Sequence, residues 1–407
     1  MSSVLQFPPA EDKSPARRPI STTDALALAE PLALELAATA VARDQAGGHA
    51  RAERELIRNS GLLALTVPTA LGGLGGSWPT FYRVLRRLAQ ADSALAHVFG
   101  FHHLQLAGVQ LYGTPEQQRR LLGQTVQKGW FWGNALNPLD KRLIAIEAPE
   151  GYRLDGVKSF ASGSVGSDLL TISAWHAATQ SPLIAVIPTS APGVTVNADW
   201  DAFGQRQTDS GTVNFDAAYL LHSDVLQPPG VTATPRATLR SQIAQLIMAN
   251  LYLGLAQGAL QDALRFNQQD ARPWFQSGVG ASVEDPFIQH RYGEFRLLVR
   301  AAQAVTDDAA ITLQQALDRG SSLTSDERGA AAVAVAEAKV LSHRAAIEVS
   351  SQLFELTGAR STSARYGLDR FWRNARVHTL HDPVDYKLRD LGRHALTGAW
   401  PEPTAYS

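Results

Sequence analysis

Hydrophobic periodicity changes twice along the 407 residues, and this limits the available folds more than any single motif does. From Ser21 to about Trp130 the spacing is helical. Ser21-Thr-Thr-Asp24 offers a cap, Leu26, Leu28, Leu32, Leu34 and Leu36 follow in an alanine-rich run, and Pro79 through Phe81, Val84, Leu85 and Leu88 predicts another helix. From about Arg142 to Leu226 the texture turns to short alternating runs such as Leu143–Glu147, Leu169–Trp175, Leu183–Ile187 and Thr212–Phe215, separated by Glu150-Gly151, Asp155-Gly156 and Pro192-Gly193. These predict a compact antiparallel β unit, a small barrel or sandwich. From about Thr238 to Ala395 long helical stripes return: Ile243, Leu246, Ile247, Leu251 and Leu255 share a face, Gly254 and Gly258 allow close helix contact, and Thr324-Ser-Asp-Glu327 reads as a capping box.

The expected class is therefore α+β, mainly α, with an N-terminal helical domain over 21–132, a central β-barrel or sandwich over 133–232, and a C-terminal four-helix bundle with a tail over 233–407. Residues 1–20, with four prolines and Arg17-Arg18 but no apolar run, read as a disordered leader. A net charge of −1 argues against a polyanion partner, so no nucleic acid is expected. The absence of cysteine excludes disulfides, thiolate metal sites and cysteine nucleophiles. No window approaches the ~20 apolar residues of a membrane span, so no membrane partner is expected and a cytoplasmic location fits.

Chemistry concentrates in Arg370-Phe-Trp-Arg-Asn-Ala-Arg-Val-His-Thr-Leu-His-Asp-Pro383. Arg370, Arg373 and Arg376 form one ridge on a helix, suited to an anion or to solvent and subunit contacts, and His378 and His381 share a spacing of three. Pro383 can end that helix or open the next, placing His381 at an element end. By contrast, Gly72-Gly-Leu-Gly-Gly76 lacks the strand and helix that frame a phosphate loop and reads as a turn.

The order of modules and several strings resemble the acyl-CoA dehydrogenase superfamily. Leu154-Asp-Gly-Val-Lys-Ser-Phe-Ala-Ser-Gly163 looks like its strand and turn beside the flavin, and Gly204-Gln-Arg-Gln-Thr-Asp-Ser-Gly211 like its later β motif. Ala42-Arg-Asp-Gln-Ala-Gly-Gly48, Ala271-Arg-Pro-Trp274, Tyr292-Gly-Glu-Phe295, Arg365-Tyr-Gly367 and Phe371–Pro383 are similar to the flavin-dependent monooxygenase branch typified by dibenzothiophene monooxygenase. Dehydrogenases of this fold keep a catalytic glutamate near the C-terminus, where this chain reads Leu380-His-Asp-Pro383. An imidazole titrates near neutrality and suits oxygen chemistry better than thioester desaturation.

The resemblance implies a two-component monooxygenase. Reduced FMN, with FAD as a possible substitute, arrives from an NAD(P)H-dependent reductase, and a C4a-hydroperoxyflavin oxygenates a sulfur-containing or aromatic heterocyclic substrate. The family alternatives are an FAD-dependent acyl-CoA dehydrogenase-type oxidoreductase and an indole-type or alkyl-sulfur monooxygenase. By the same resemblance His381, His97, Ser162 and Asn134 are catalytic; Asn134, Ser162, Trp200, Arg272, Arg360 and His378 bind the flavin; and Phe101, Trp132 and His381 line the substrate pocket. Trp130 is a further candidate wall, no metal is expected, and a homotetramer whose subunits complete each other's sites is implied. At Phe101 the dibenzothiophene enzymes carry tyrosine, and Ala135-Leu-Asn-Pro-Leu-Asp-Lys141 replaces their more polar loop.

Overall fold

The structure is a computed structural model that describes residues 18–407; the leader expected over 1–20 lies outside the described residues up to residue 17. Among the described residues five α-helices come first: α1 (Thr22–Ala46), α2 (Arg51–Asn59), α3 (Trp78–Ala91), α4 (Ser93–Tyr112) and α5 (Pro115–Lys128). Ser21 accepts from the Asp24 amide at 3.1 Å, as the cap signal predicts. The glycine run is a turn, with Gly73 pressed onto the Val67 carbonyl.

Eight strands follow: β1 (Trp132–Ala135), β2 (Ile144–Ala148), β3 (Gly151–Lys158), β4 (Leu169–His176), β5 (Ser181–Pro188), β6 (Val194–Val196), β7 (Val213–Leu221) and β8 (Val225–Gln227). They form one sheet in the order β6-β7-β3-β2-β4-β5-β8, with β1 added to β4. That path is open at both ends, so the sheet does not close into a barrel. The sequence reading also made the unit purely antiparallel, whereas β1–β4 and β2–β4 pair parallel. The β2–β3 hairpin leaves the chain on the far side of β2, and the loop 159–168 carries it back to enter β4 in the direction of β2.

Long helices complete the molecule: α6 (Pro235–Gln269), α7 (Pro286–Asp318), α8 (Ser325–Thr357), α9 (Asp369–Thr379) and α10 (Val384–Thr397). The Thr324–Glu327 capping box forms in both directions. Helix α6 is the central post, packed against α3, α4, α7, α8 and α9. A side chain at Gly254 would sit 2.6 Å from both the Ala89 β-carbon and the Arg86 carbonyl, and one at Gly258 would sit 2.4 Å from the Gln90 carbonyl, so only glycine permits this approach to α3. Contrary to the sequence reading, α1 and α6 are apolar enough by composition to span a membrane. In α6 this reflects burial inside the bundle, and in α1 the buried face packs on α3.

Candidate active site

Helix α4 is buried along most of its length, so its polar residues need partners within the protein. His97 finds one across the interface with α9: its Nδ1 lies 2.7 Å from His378 Nε2. Phe101, one turn along α4, stacks on the His97 ring at 4.0 Å. Burial pulls His97 down to about 3, helped by the nearby His381, and burial with His97 and His381 beside it pulls His378 well below the ordinary imidazole value. Both rings are thus neutral near pH 7. In a neutral pair one ring donates and the other accepts, which leaves one N–H and one lone pair on the outer nitrogens. Those atoms, His97 Nε2 and His378 Nδ1, are buried and have no partner among the described residues, as is the case for the Asn134 Oδ1 of β1.

Two loops of the sheet approach the same region. The Asn134 amide donates to the Ser162 carbonyl at 2.8 Å, and the next residue, Gly163, packs against Val98 beside His97. The Ser162 hydroxyl lies 2.9 Å from that of Ser210, which lies 2.8 Å from Thr208. Buried Arg54 clamps the two loops, reaching the Gly163 carbonyl at 3.3 Å and Asp209 at 3.0 Å. Asn374 of α9 accepts from the Gln205 amide at 2.6 Å and donates to Ser93 of α4 at 3.1 Å. Trp200 donates to the Gln205 carbonyl at 2.9 Å and meets Phe160 edge-on. Arg54, Asn374 and Asp209 were invisible as site-builders in the sequence, because each acts between segments far apart in the chain.

His381 sits in the turn between α9 and α10, with Pro383 as N-cap of α10, as the proline predicts. Its Nδ1 lies 2.9 Å from Asp382, its side chain is 39% exposed, and Tyr406 meets its ring edge-on. It lines a surface groove of about 480 Å³ with Tyr386, Lys387 and Tyr406. Burial alone would raise the Asp382 carboxyl, but the hydrogen bond from His381 and the charge of Lys339 hold it well below the usual carboxylate range.

Several candidates are not where the sequence reading put them. Trp132 is a correction: its indole is 1% exposed, bonded to Thr125 at 2.9 Å and packed with Leu106, Val109 and Leu122 between α4 and α5, so it is core rather than pocket wall. Trp130 packs at the edge of that same core and lines a separate cleft with Asp168 and Leu169. Arg370 and Arg373 are bound by Asp262 and by Asp44 with Asp369, which makes them internal fasteners, while Arg376 is exposed. Arg272 and Arg360 are exposed at the far end of α6, where Arg360 donates to the Asp270 carbonyl at 2.7 Å. The Tyr252 hydroxyl, which donates to the His378 carbonyl, marks the histidine level of α6. From Tyr252 to Gln269 the helix rises ~26 Å at ~1.5 Å per residue. Within one chain these arginines are too distant to share a mononucleotide with the histidine pair.

Residues 27–128 match the acyl-CoA dehydrogenase N-terminal domain and residues 246–386 its C-terminal domain. A probable FMNH2-dependent monooxygenase of Pseudomonas putida is 45% identical, over 94% of this chain and 97% of that protein. The methanesulfinate monooxygenase of Pseudomonas fluorescens superposes with a TM-score of 0.92 at 46% identity, over 94% of this chain and 99% of the other. The dibenzothiophene monooxygenase of Paenibacillus sp. A11-2, solved with FMN and indole, gives a TM-score of 0.91 at 41% identity, over 94% and 100% of the two chains.

Proposed function

Because the chain belongs to the flavin-dependent monooxygenase branch of the acyl-CoA dehydrogenase family, we propose that it uses reduced FMN and dioxygen to oxygenate a small sulfur-containing or aromatic heterocyclic substrate. The observation that carries this reading is the neutral His97–His378 pair, which with Asn134 offers three unspent buried polar atoms. A flavin ring, whose edge alternates donors and acceptors, fits that set, and no charged group is needed to receive it.

When bound, reduced FMN supplies two electrons, so that one oxygen atom passes to the substrate and the other leaves as water. His97, His378 and Asn134 would hold the ring by their unspent polar atoms, and the Ser162–Ser210–Thr208 hydroxyl chain would add donors from the sheet loops. His381 moves the proton at its Nε2, because Nδ1 is engaged by Asp382. Phe101 and the walls of α4 and α9 exclude water, which would otherwise divert activated oxygen to hydrogen peroxide. The acidic side chain in this segment is ill suited to thioester desaturation, since Asp382 is tied to Lys339 and is a weak base.

The distant Arg272 and Arg360 support a homotetramer in which they grip the FMN phosphate of a neighbouring subunit; bidentate guanidinium recognition suits that role. A diffusing NAD(P)H-dependent reductase partner and a cytoplasmic location complete the proposal. Relatives named for methanesulfinate and for dibenzothiophene, the latter solved with indole, define the substrate panel. The test supplies reduced FMN, oxygen and that panel, and looks for products ~16 mass units heavier per oxygen transferred. Turnover of an acyl-CoA without oxygen would refute the reading.

A further inference from the structure

Lys339 of α8 is 1% exposed, yet it belongs to no motif. Its Nζ lies 2.7 Å from Asp382 Oδ1 and 2.6 Å from Gln245 Oε1 on α6. The same Asp382 oxygen accepts from His381 Nδ1 at 2.9 Å and from Gln245 Nε2 at 3.4 Å. The Tyr252 ring is 5.8 Å from Nζ, and its hydroxyl donates to the His378 carbonyl at 2.9 Å. Two adjacent posts of the bundle thus fix the carboxylate beside His381 and the backbone of His378.

A buried ammonium is expensive, and burial lowers the Lys339 amine while Asp382 works against that shift. The arrangement makes chemical sense from the side of the carboxylate. A buried carboxylate whose sole cationic neighbour is a histidine favours the imidazolium, because pairing with charge offsets its desolvation. An imidazolium has no lone pair with which to accept a proton. An ammonium already bonded to the carboxylate removes that pull and adds repulsion against a second positive charge. Other titratable or charged groups surround the pair: His343 on α8, Arg376 and His378 on α9, His97 on α4, Asp385, Lys387 and Asp390 on α10, and Tyr406 and Tyr252. Among the described residues, however, only Lys339, Gln245 and His381 bond to the Asp382 side chain.

We infer that Lys339 is a positioning residue for the oxygenation proposed above, a role that rests on that reading. As counter-ion of Asp382, it lets the carboxylate hold the His381 ring by its Nδ1–H without drawing a second proton onto the imidazole. His381 Nε2 then keeps its lone pair.

The test uses the flavin-free protein and diethylpyrocarbonate, which acylates unprotonated imidazole nitrogen, with each histidine read by mass spectrometry. Exposed His290 serves as the internal standard. In Lys339→Met, modification of His381 relative to His290 at pH 6 should fall ~3- to 10-fold, the size expected when a close carboxylate loses its competing cation. Lys339→Gln, which keeps hydrogen-bonding capacity but no charge, should behave alike. Lys339→Met/Asp382→Asn should restore the wild-type ratio. A lysine needed only for packing would lower the melting temperature and leave the ratio unchanged, and that result in a folded variant would overturn the inference. Since no flavin enters the measurement, a changed ratio with no oxygenated product from any substrate would sink the proposed function while leaving the charge relation intact.

Discussion

His378 and His381 stand one helical turn apart, yet their surroundings have little in common. His378 is 7% exposed, pairs with the neutral His97 ring, meets Tyr252 edge-on, and has a nitrogen with no partner among the described residues. His381 borders a groove, and its Nδ1 is held by a carboxylate that a buried lysine neutralises. The first environment selects an uncharged hydrogen-bonding partner for a ligand edge. The second is the one to which the proposed function gives proton transfer. The difference between the two imidazoles on which the proposed function rests comes from burial and from one charge pair, not from residue type.

The sharpest way to break this comparison is to remove each ring in turn. His381→Ala should reduce coupled oxygenation by ~10²- to 10⁴-fold, the usual weight of a positioned proton-transfer group, while flavin affinity stays within about threefold. Equal losses in binding and turnover would erase the distinction. His378→Phe or His97→Phe should instead weaken reduced FMN binding by about tenfold, the cost of leaving buried partners unsatisfied, as read by anaerobic fluorescence titration.

Acid titration sharpens the contrast further. His97 falls to about 3 in the folded protein, below its unfolded value of ~6.5, so the folded state resists a proton that the unfolded chain accepts. Its contribution is fully present above the unfolded value and is lost as pH drops below it. His97→Phe should flatten the decline of stability between pH ~6 and ~4 by about 1.4 kcal/mol per pH unit, one proton's worth, in denaturant melts. The smallest expected effect is at Phe101→Tyr, which adds a hydroxyl beside His97; the fraction of oxygen ending as hydrogen peroxide should change by no more than a few-fold, since one hydrogen bond nets ~1 kcal/mol. A larger change would make Phe101 a primary determinant of oxygen chemistry.

Local signals were readable in the sequence and relational ones were not. Caps at Ser21 and Thr324, the helix stop before Pro383, the strands near 169–176 and 181–188, and the close approach at Gly254 each depend on residues adjacent in sequence or on one face. The parallel pairing of β2 with β4 was missed because alternation reports a strand without its neighbour. Trp132 was mistaken for a wall because an indole in a core and one in a pocket read alike until Thr125 and Leu122 are seen around it. Lys339 and Asp382 are 43 positions apart, and an isolated lysine in an alanine-rich helix reads as solvated. The arginine ridge left an anion grip, a solvated face and subunit contacts open, and three aspartates take up Arg370 and Arg373.

The most direct measurement mixes reduced FMN-loaded protein with ¹⁸O-labelled dioxygen and methanesulfinate, dibenzothiophene or indole in a single turnover. The wild-type protein should place one labelled oxygen in the product for each flavin oxidised, and His381→Ala should oxidise its flavin with the label recovered as hydrogen peroxide. Unlabelled product from the wild type, or full label incorporation by the His381→Ala variant, would contradict oxygenation governed by that imidazole.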